Sequence, residues 1–346
     1  MNAGALKLTI YHGERDRVGD AFLADALSAI FARHRLRVSV VMRGAGGFGL
    51  KQHLRTDRLL TLSEDLPVVS VAVDERARIE PALADVEALA FDGLITLERA
   101  RLVSGAEPLP PDAKLTVYVG RAARAGSRPA YEAVVDVLHR HGVAGASVLL
   151  GVDGTAHGVH RRARFFSRNV DVPLMVVSVG AGDRLAAALA ELPGLLEDPV
   201  MTIERVRICK RDGARFAEPE AIAGADEHGL PLWQLLTVYG GASQHGELVA
   251  ALRAERAAGA TSLRGIWGYH GDHAPHGDVL WQLRRRVPSL TVVVDQPAAI
   301  RRLYRVVDRL TEQGGLVTTE VVPASRATAP GVPGGRLRLA RPRSTS

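Results

Sequence analysis

The sequence predicts an α+β protein built from three tandem ferredoxin-like (β-α-β-β-α-β) units, and three observations carry that expectation. One short strand is written three times, as LTIYHG from Leu8, LTVYVG from Leu115 and LTVYGG from Leu236. Its tyrosines, Tyr11, Tyr118 and Tyr239, are spaced by 107 and 121 residues, while the unit endings at Glu98, Glu204 and Glu320 are spaced by 106 and 116. Interior landmarks keep step: glycine-broken loops start at Gly44, Gly151 and Gly265, and Pro-led apolar strands at Pro67, Pro173 and Pro288. Self-similarity at a fixed period decides architecture ahead of local propensity.

The elements of one unit follow in order. Residues 6–12 read as a strand, and Phe22, Leu23, Ala26, Leu27, Ile30 and Phe31 then recur at helical spacing. Residues 38–43 make a second strand, followed by a loop with Gly44, Gly46, Gly47 and Gly49. LPVVSVAV ending at Val73 is the third strand, Ile79, Leu83, Val86 and Leu89 mark a second helix, and LITLERARLV closes the unit. This is the split β-α-β-β-α-β order. The second unit repeats it with Tyr131, Val134, Val135 and Leu138 on its first helix, which the third shortens to Leu248, Val249 and Leu252.

Two helices cover one face of such a sheet, so the other face should alternate toward polar residues if it meets water. Val68 and Val69, Met175 and Val176, and Val292 and Val293 instead place apolar side chains on both faces. The second face is therefore predicted to be buried, with the tethered units closing on one another as an intramolecular pseudo-trimer. The boundaries are 1–104, 113–211 and 232–324 for the three copies, with a disordered basic tail at 325–346. SGAEPLPPD at 104–112 and a polar stretch at 212–231 serve as linkers.

Composition bounds the function. The single cysteine, Cys209, excludes a disulfide framework and a multi-cysteine zinc site, and a cytoplasmic location is expected. No apolar run approaches the ~20 residues that span a bilayer. The net charge of +6 is carried largely by Arg326, Arg336, Arg338, Arg341 and Arg343 in the tail, which leaves the body close to neutral. That tail lacks the aromatic residues used for base stacking, so no nucleic-acid partner is expected.

LTIYHGERDR, RGAGGFG and SEDLPVVSVAVD in the first unit resemble the PII-like signalling proteins grouped as domain of unknown function 190, and the likeness extends over all three units. It implies a regulatory protein rather than an enzyme. A small anionic effector, an adenine nucleotide (ATP, ADP or AMP) or a cyclic nucleotide, would bind in clefts between units. Loops after each second strand would report occupancy to a protein target such as a membrane transporter or channel, with the chain acting as a monomeric pseudo-trimer.

The resemblance also names residues. Glycines let backbone N–H groups approach a phosphate and arginine adds bidentate charge; Arg43, Gly44, Gly47, Phe48, Gly49 and Lys51 form such a set, as do Arg264, Gly265, Gly268 and Gly271 in the third unit. Leu150 replaces the arginine in the second. Asp92 and Gly93 match the family's Asp-Gly turn before the last strand, although Leu94 stands where a lysine usually follows. Arg99, Arg101, Arg205 and Arg207 supply charge after it, and TTEVVPA in the third unit supplies none, so the clefts are expected to be unequal.

Other constellations give rival readings. RGAGGFG spells G-x-G-x-x-G with Glu64 about twenty residues on, but it follows a second strand where a dinucleotide fold places it after the first. His270, His273 and His276 sit at H-x-x-H-x-x-H spacing beside Asp272 and Asp278, with His157 and His160 in the matching loop, and such a set can bind zinc, copper or nickel. The CutA copper-tolerance proteins share the trimeric plan, which makes metal binding the alternative function. No nucleophile-base pair stands out: Ser63, Glu64 and Asp65 are not kept in the second unit, and Cys209 reads as buried and inert.

Overall fold

The computed structural model describes residues 4–49, 53, 55–56, 65–156, 159–162, 172–225, 232–241, 244–271, 273–277 and 288–327. The first repeat comprises β1 (Ala5–Gly13), α1 (Leu23–Arg33), β2 (Val38–Arg43), β3 (Gly46–Phe48), β4 (Pro67–Glu75), α2 (Arg76–Glu87) and β5 (Gly93–Val103). The second comprises β6 (Asp112–Gly120), α3 (Ala130–Arg140), β7 (Gly145–Leu150), β8 (Asp153–Ala156), β9 (Val159–Arg162), β10 (Pro173–Ala181), α4 (Gly182–Glu191), β11 (Val200–Arg205) and β12 (Arg207–Arg211). The third comprises β13 (Leu232–Gly241), α5 (His245–Ala254), β14 (Ala260–His270), β15 (Pro288–Asp295), α6 (Pro297–Leu310) and β16 (Leu316–Ala327).

Alternation along the strands sorts side chains into two interiors. Leu6, Leu8 and Ile10 of β1 point to a core shared with Leu27 and Phe31 of α1 and Ile79 and Leu83 of α2. The second repeat has the same helix-side core around Leu115, Val134 and Leu185, and the third around Leu236, Leu252 and Ile300. The opposite faces meet in one cluster to which all three repeats contribute, among them Val69, Val71, Met175, Val177, Leu263 and Leu290. Lys7, Thr9 and Tyr11, the odd residues of β1, border the small cavity inside it.

The expectation of three separate ferredoxin-like domains packed as a pseudo-trimer is corrected by the strand pairing. Among the described residues every pairing is antiparallel and the long strands merge into one sheet of nineteen strands, with six α-helices outside it. Nine strands close into a barrel-like ring, in the order β5, β11, β6, β10, β7, β14, β15, β13, β16 and back to β5. The physical reason is edge pairing: a free strand edge is a template for another strand, and closure removes it. β8 of the second repeat lies along β2 of the first, the distal half of β14 along β7, and β3 of the first along β14. β12 likewise continues onto β16, so the four strands that pair within each repeat are joined at their edges to the other repeats and no repeat's sheet is independent.

The boundary expected at 324 also moves. Ser325, Arg326 and Ala327 pair with Ile95, Leu94 and Gly93, and so belong to a strand; the rest of the expected tail, 328–346, lies outside the described residues. No helix among the described residues is long and apolar enough to cross a membrane.

Candidate functional site

Where the three repeats meet, five charged side chains are buried in a row. Lys7 Nζ lies 2.5 Å from Glu98 Oε2 and 3.0 Å from Glu204 Oε2, and Lys114 Nζ lies 2.9 Å from Glu204 Oε2 and 2.7 Å from Glu320 Oε1. The order is Glu98, Lys7, Glu204, Lys114, Glu320. A closed ring would need a third lysine, but Leu235 occupies the position of Lys7 and Lys114 in its repeat and pairs with Glu320 across β13 and β16. The carboxylates are 3%, 2% and 7% exposed, so the cluster is shut off from bulk solvent.

The partners set the charge states. Burial alone would neutralise Lys7 and Lys114, but Glu204 with Glu98, and Glu204 with Glu320, outweigh it and hold both lysines above their ordinary range. Burial also opposes ionisation of Glu98, yet Lys7 and Lys114 bring it down to about 2. Thr9 and Thr96 hydroxyls donate to its Oε1 at 3.1 and 2.9 Å, which completes its hydrogen bonds. Glu320 differs: burial pushes it up to about 7, with Lys114 opposing and Glu204 and Glu98 reinforcing. The equivalent hydroxyl beside it, Thr318 Oγ1, is buried with no hydrogen-bond partner.

A larger opening lies at the boundary of the first two repeats. This cleft of about 440 Å³ is lined by Tyr118, Gly120, Arg124, Pro173 and the segment Leu196–Val200 of the second repeat, with Val38 of the first on its wall. Asp198 adopts a left-handed backbone (φ 44°) in that segment, so Glu197 and Asp198 turn along the cleft before β11 begins. Arg124 is exposed and bonds only the Ser127 carbonyl among its described hydrogen bonds. Tyr118 also faces the charged centre, where burial raises its phenol, Lys7 opposes that rise and Glu204 and Glu98 add to it.

Most of the glycines expected to form phosphate cradles are closely packed. A Cβ on Gly44 would lie 2.7 Å from the Pro67 ring, on Gly47 2.3 Å from the Ala260 carbonyl, on Gly265 2.6 Å from the Pro288 carbonyl and on Gly268 2.0 Å from the Ala146 carbonyl. The N–H of Gly44 already donates to Pro67 O at 2.7 Å. Gly47 and Gly268 allow strands of different repeats to approach, and Gly44 and Gly265 make room for the proline that opens the next long strand of their own repeat. Phe48 is a buried plug in the third repeat's core. Gly49 stands in open space, and Lys51 lies outside the described residues.

The basic residues scatter as well. Arg43 is exposed and pairs with Glu14 at 2.9 Å, and Arg101 pairs with Glu107 at 3.3 Å. Asp92, Arg99, Arg205 and Arg207 are exposed, Gly93 packs against Phe91 and the Tyr11 carbonyl, and Arg264 is half-buried on β14. None of them is among the residues that line the cleft or the central cavity. The positional equivalents of Asp92 and Gly93, namely Asp198 and Pro199, do line the large cleft.

The histidine triad does not converge. Among the described residues only Glu98, Glu204 and Glu320 form a group of three whose ligand atoms lie within 4.8 Å of one another, and two lysine ammoniums already sit among them. His270 is half-buried at the end of β14, where burial lowers its pKa; His273 is exposed, and His276 Nδ1 lies 3.0 Å from the Ala274 carbonyl. Gly271 turns with a φ of 57° next to them. His157, Asp272 and Asp278 lie outside the described residues. Sequence reasoning used the glutamates as repeat markers and missed their role. The available signal was a lysine or glutamate recurring at a fixed place in otherwise apolar strands.

With this geometry in hand, the comparisons are specific in one respect. A family model described as DUF190, Uncharacterized ACR, matches residues 5–102, 112–208 and 236–324. Among solved structures, aspartate kinase from Synechocystis is similar at 10% sequence identity and a TM-score of 0.26, over 92% of this chain and 51% of that one. The chain thus spans about half the length of that structure.

Proposed function

The chain belongs to the DUF190 family in three tandem copies, and on that premise we propose that it is a regulatory protein that binds a small anionic effector between its first two repeats. The effector we favour is an adenine nucleotide, and the role is binding without turnover, passed on to a protein partner. The observation that carries this reading is the cleft of about 440 Å³ in the second repeat, where it meets Val38 of the first. Its size falls in the range of about 300–1,000 Å³ typical of small-molecule sites. Tyr118, Val38, Pro173 and Ala130 give it apolar walls suited to a base. Arg124 offers a guanidinium to a phosphate, and Glu197 and Asp198 can accept hydrogen bonds from ribose hydroxyls or meet a divalent cation carried by the nucleotide.

A cleft of the second repeat that touches the first at Val38 is suited to regulation, because a ligand that prefers one relative arrangement shifts its population. Calorimetric titration with ATP, ADP, AMP and a cyclic nucleotide tests the reading. We expect saturable binding of at least one of them, weakened about tenfold or more in Arg124→Ala, since a hydrogen bond to a charged group contributes about 1.5–3 kcal/mol. If none of them binds at millimolar concentration, or if Arg124→Ala binds as tightly as the native protein, this assignment of the site is wrong. Product analysis of the same mixtures would expose turnover.

A further inference from the structure

The charged row at the centre is one positive charge short. The ligand oxygens of three carboxylates lie within 4.8 Å of one another, among the described residues only Lys7 and Lys114 reach them, and Leu235 fills the place of the third lysine. The deficit is buried, where an uncompensated charge is costly. A second observation points the same way: Glu204 Oε1 is buried with no hydrogen-bond partner, although Oε2 of the same carboxylate takes both lysines. An acceptor is waiting in a cluster that lacks a donor.

We propose that the centre of the molecule is a proton-binding site, in which one exchangeable proton, held mainly by Glu320, takes the place of the missing third lysine. Glu98 is the poorer holder because Lys7, Thr9 and Thr96 already saturate it. Among the described residues Glu320 has only Lys114 as a hydrogen-bond partner, which reaches its two oxygens at 2.7 and 2.8 Å. The groups facing Glu320 from the surrounding strands are Lys114 on β6, Glu204 on β11, and Glu98 and Lys7 on β5 and β1, with the phenols of Tyr11, Tyr118 and Tyr239 around the same centre. With Tyr118 lining the large cleft as well, proton occupancy and the cleft share a side chain.

The sign follows from linkage. A carboxyl raised from 4.5 to about 7 in the fold gives stability that is complete below pH 4.5 and is lost as pH rises through about 7. Within that window one proton changes the folding constant by up to about tenfold per pH unit. Two other groups do not imitate this. Glu98, depressed to about 2, acts only below 4.5. His270, whose neutral form is favoured by burial, loses stability as pH falls below 6.5, which is the opposite sense.

The test is urea unfolding of the full chain at several pH values between 4.5 and 8, comparing the native protein with Glu320→Gln and Leu235→Lys. Glutamine mimics the protonated carboxyl, so Glu320→Gln should lose one proton's worth of pH dependence relative to the native chain and be the more stable protein at pH 8. Leu235→Lys, if it folds, should show the same loss of slope; Glu320→Gln decides the matter if it does not. Parallel pH profiles for native and Glu320→Gln, or a glutamine variant less stable at pH 8, would overturn the proposal. So would a native protein that potassium or sodium chloride at pH 8 stabilises as much as the substitution does, because an alkali ion would then be the compensating charge.

Discussion

Removing Lys114 tests how the buried charges are balanced. In Lys114→Met the long apolar stem is conserved in volume while the contacts at 2.9 Å to Glu204 and at 2.7 and 2.8 Å to Glu320 are lost. Three buried carboxylates then face Lys7 alone, so the cluster must take up one more proton than the native protein to stay neutral. For a carboxyl with an unfolded value of 4.5, taking up that proton at pH 7.5 costs about 4 kcal/mol at 1.36 kcal/mol per unit. Measured losses on breaking buried ion pairs, about 3–5 kcal/mol, agree. At pH 5.5 the same proton costs only about 1.4 kcal/mol. Urea unfolding followed by tryptophan fluorescence at the two pH values should therefore show a loss that shrinks by about 2.7 kcal/mol on acidification. Adding Glu320→Gln should recover most of the loss at pH 7.5. A loss below about 1 kcal/mol at pH 7.5, or one equal at both pH values, would refute the reasoning that these groups share a dry, charge-balanced site.

Two further predictions follow from the packing. Gly154→Ala would place a Cβ 2.1 Å from the Ser39 carbonyl where β8 lies on β2, and should cost about 1–3 kcal/mol or more. Gly105→Ala, with nothing within 4 Å, should stay within about 0.5 kcal/mol, and chemical denaturation of both variants would expose equal effects as a contradiction. Cys209 is fully buried and its thiol is raised by burial, so Ellman's reagent at pH 8 should find no reactive thiol in the native protein and one in urea; rapid native reaction would contradict the packing around it.

The repeat was legible because identical chain chemistry at a fixed period leaves the same letters, and LTIYHG, LTVYVG and LTVYGG did so. The apolar runs on both faces of the strands were legible too, and their second faces do meet in a common cluster. The meaning of the glycines was not. A glycine that admits a phosphate and one that admits a carbonyl of a distant strand look alike in one dimension; only the pairing of Gly47 with Thr261 and of Gly154 with Val40 distinguishes them. The cleft was missed at Asp198 because Asp92 and Gly93 carried the motif, whereas the open space formed at the copy with proline.

By itself, then, the sequence determined the three copies, their strands and the alternation that sends Lys7 and Lys114 to one face, because side-chain direction in a strand depends only on position along it. Tertiary structure decided that the copies merge into a closed ring of strands instead of standing as separate sheets. It also decided that Glu98, Glu204 and Glu320, more than a hundred residues apart, lie within 4.8 Å of one another. Distances of that kind depend on which edges pair, and edge pairing is settled by the whole chain at once.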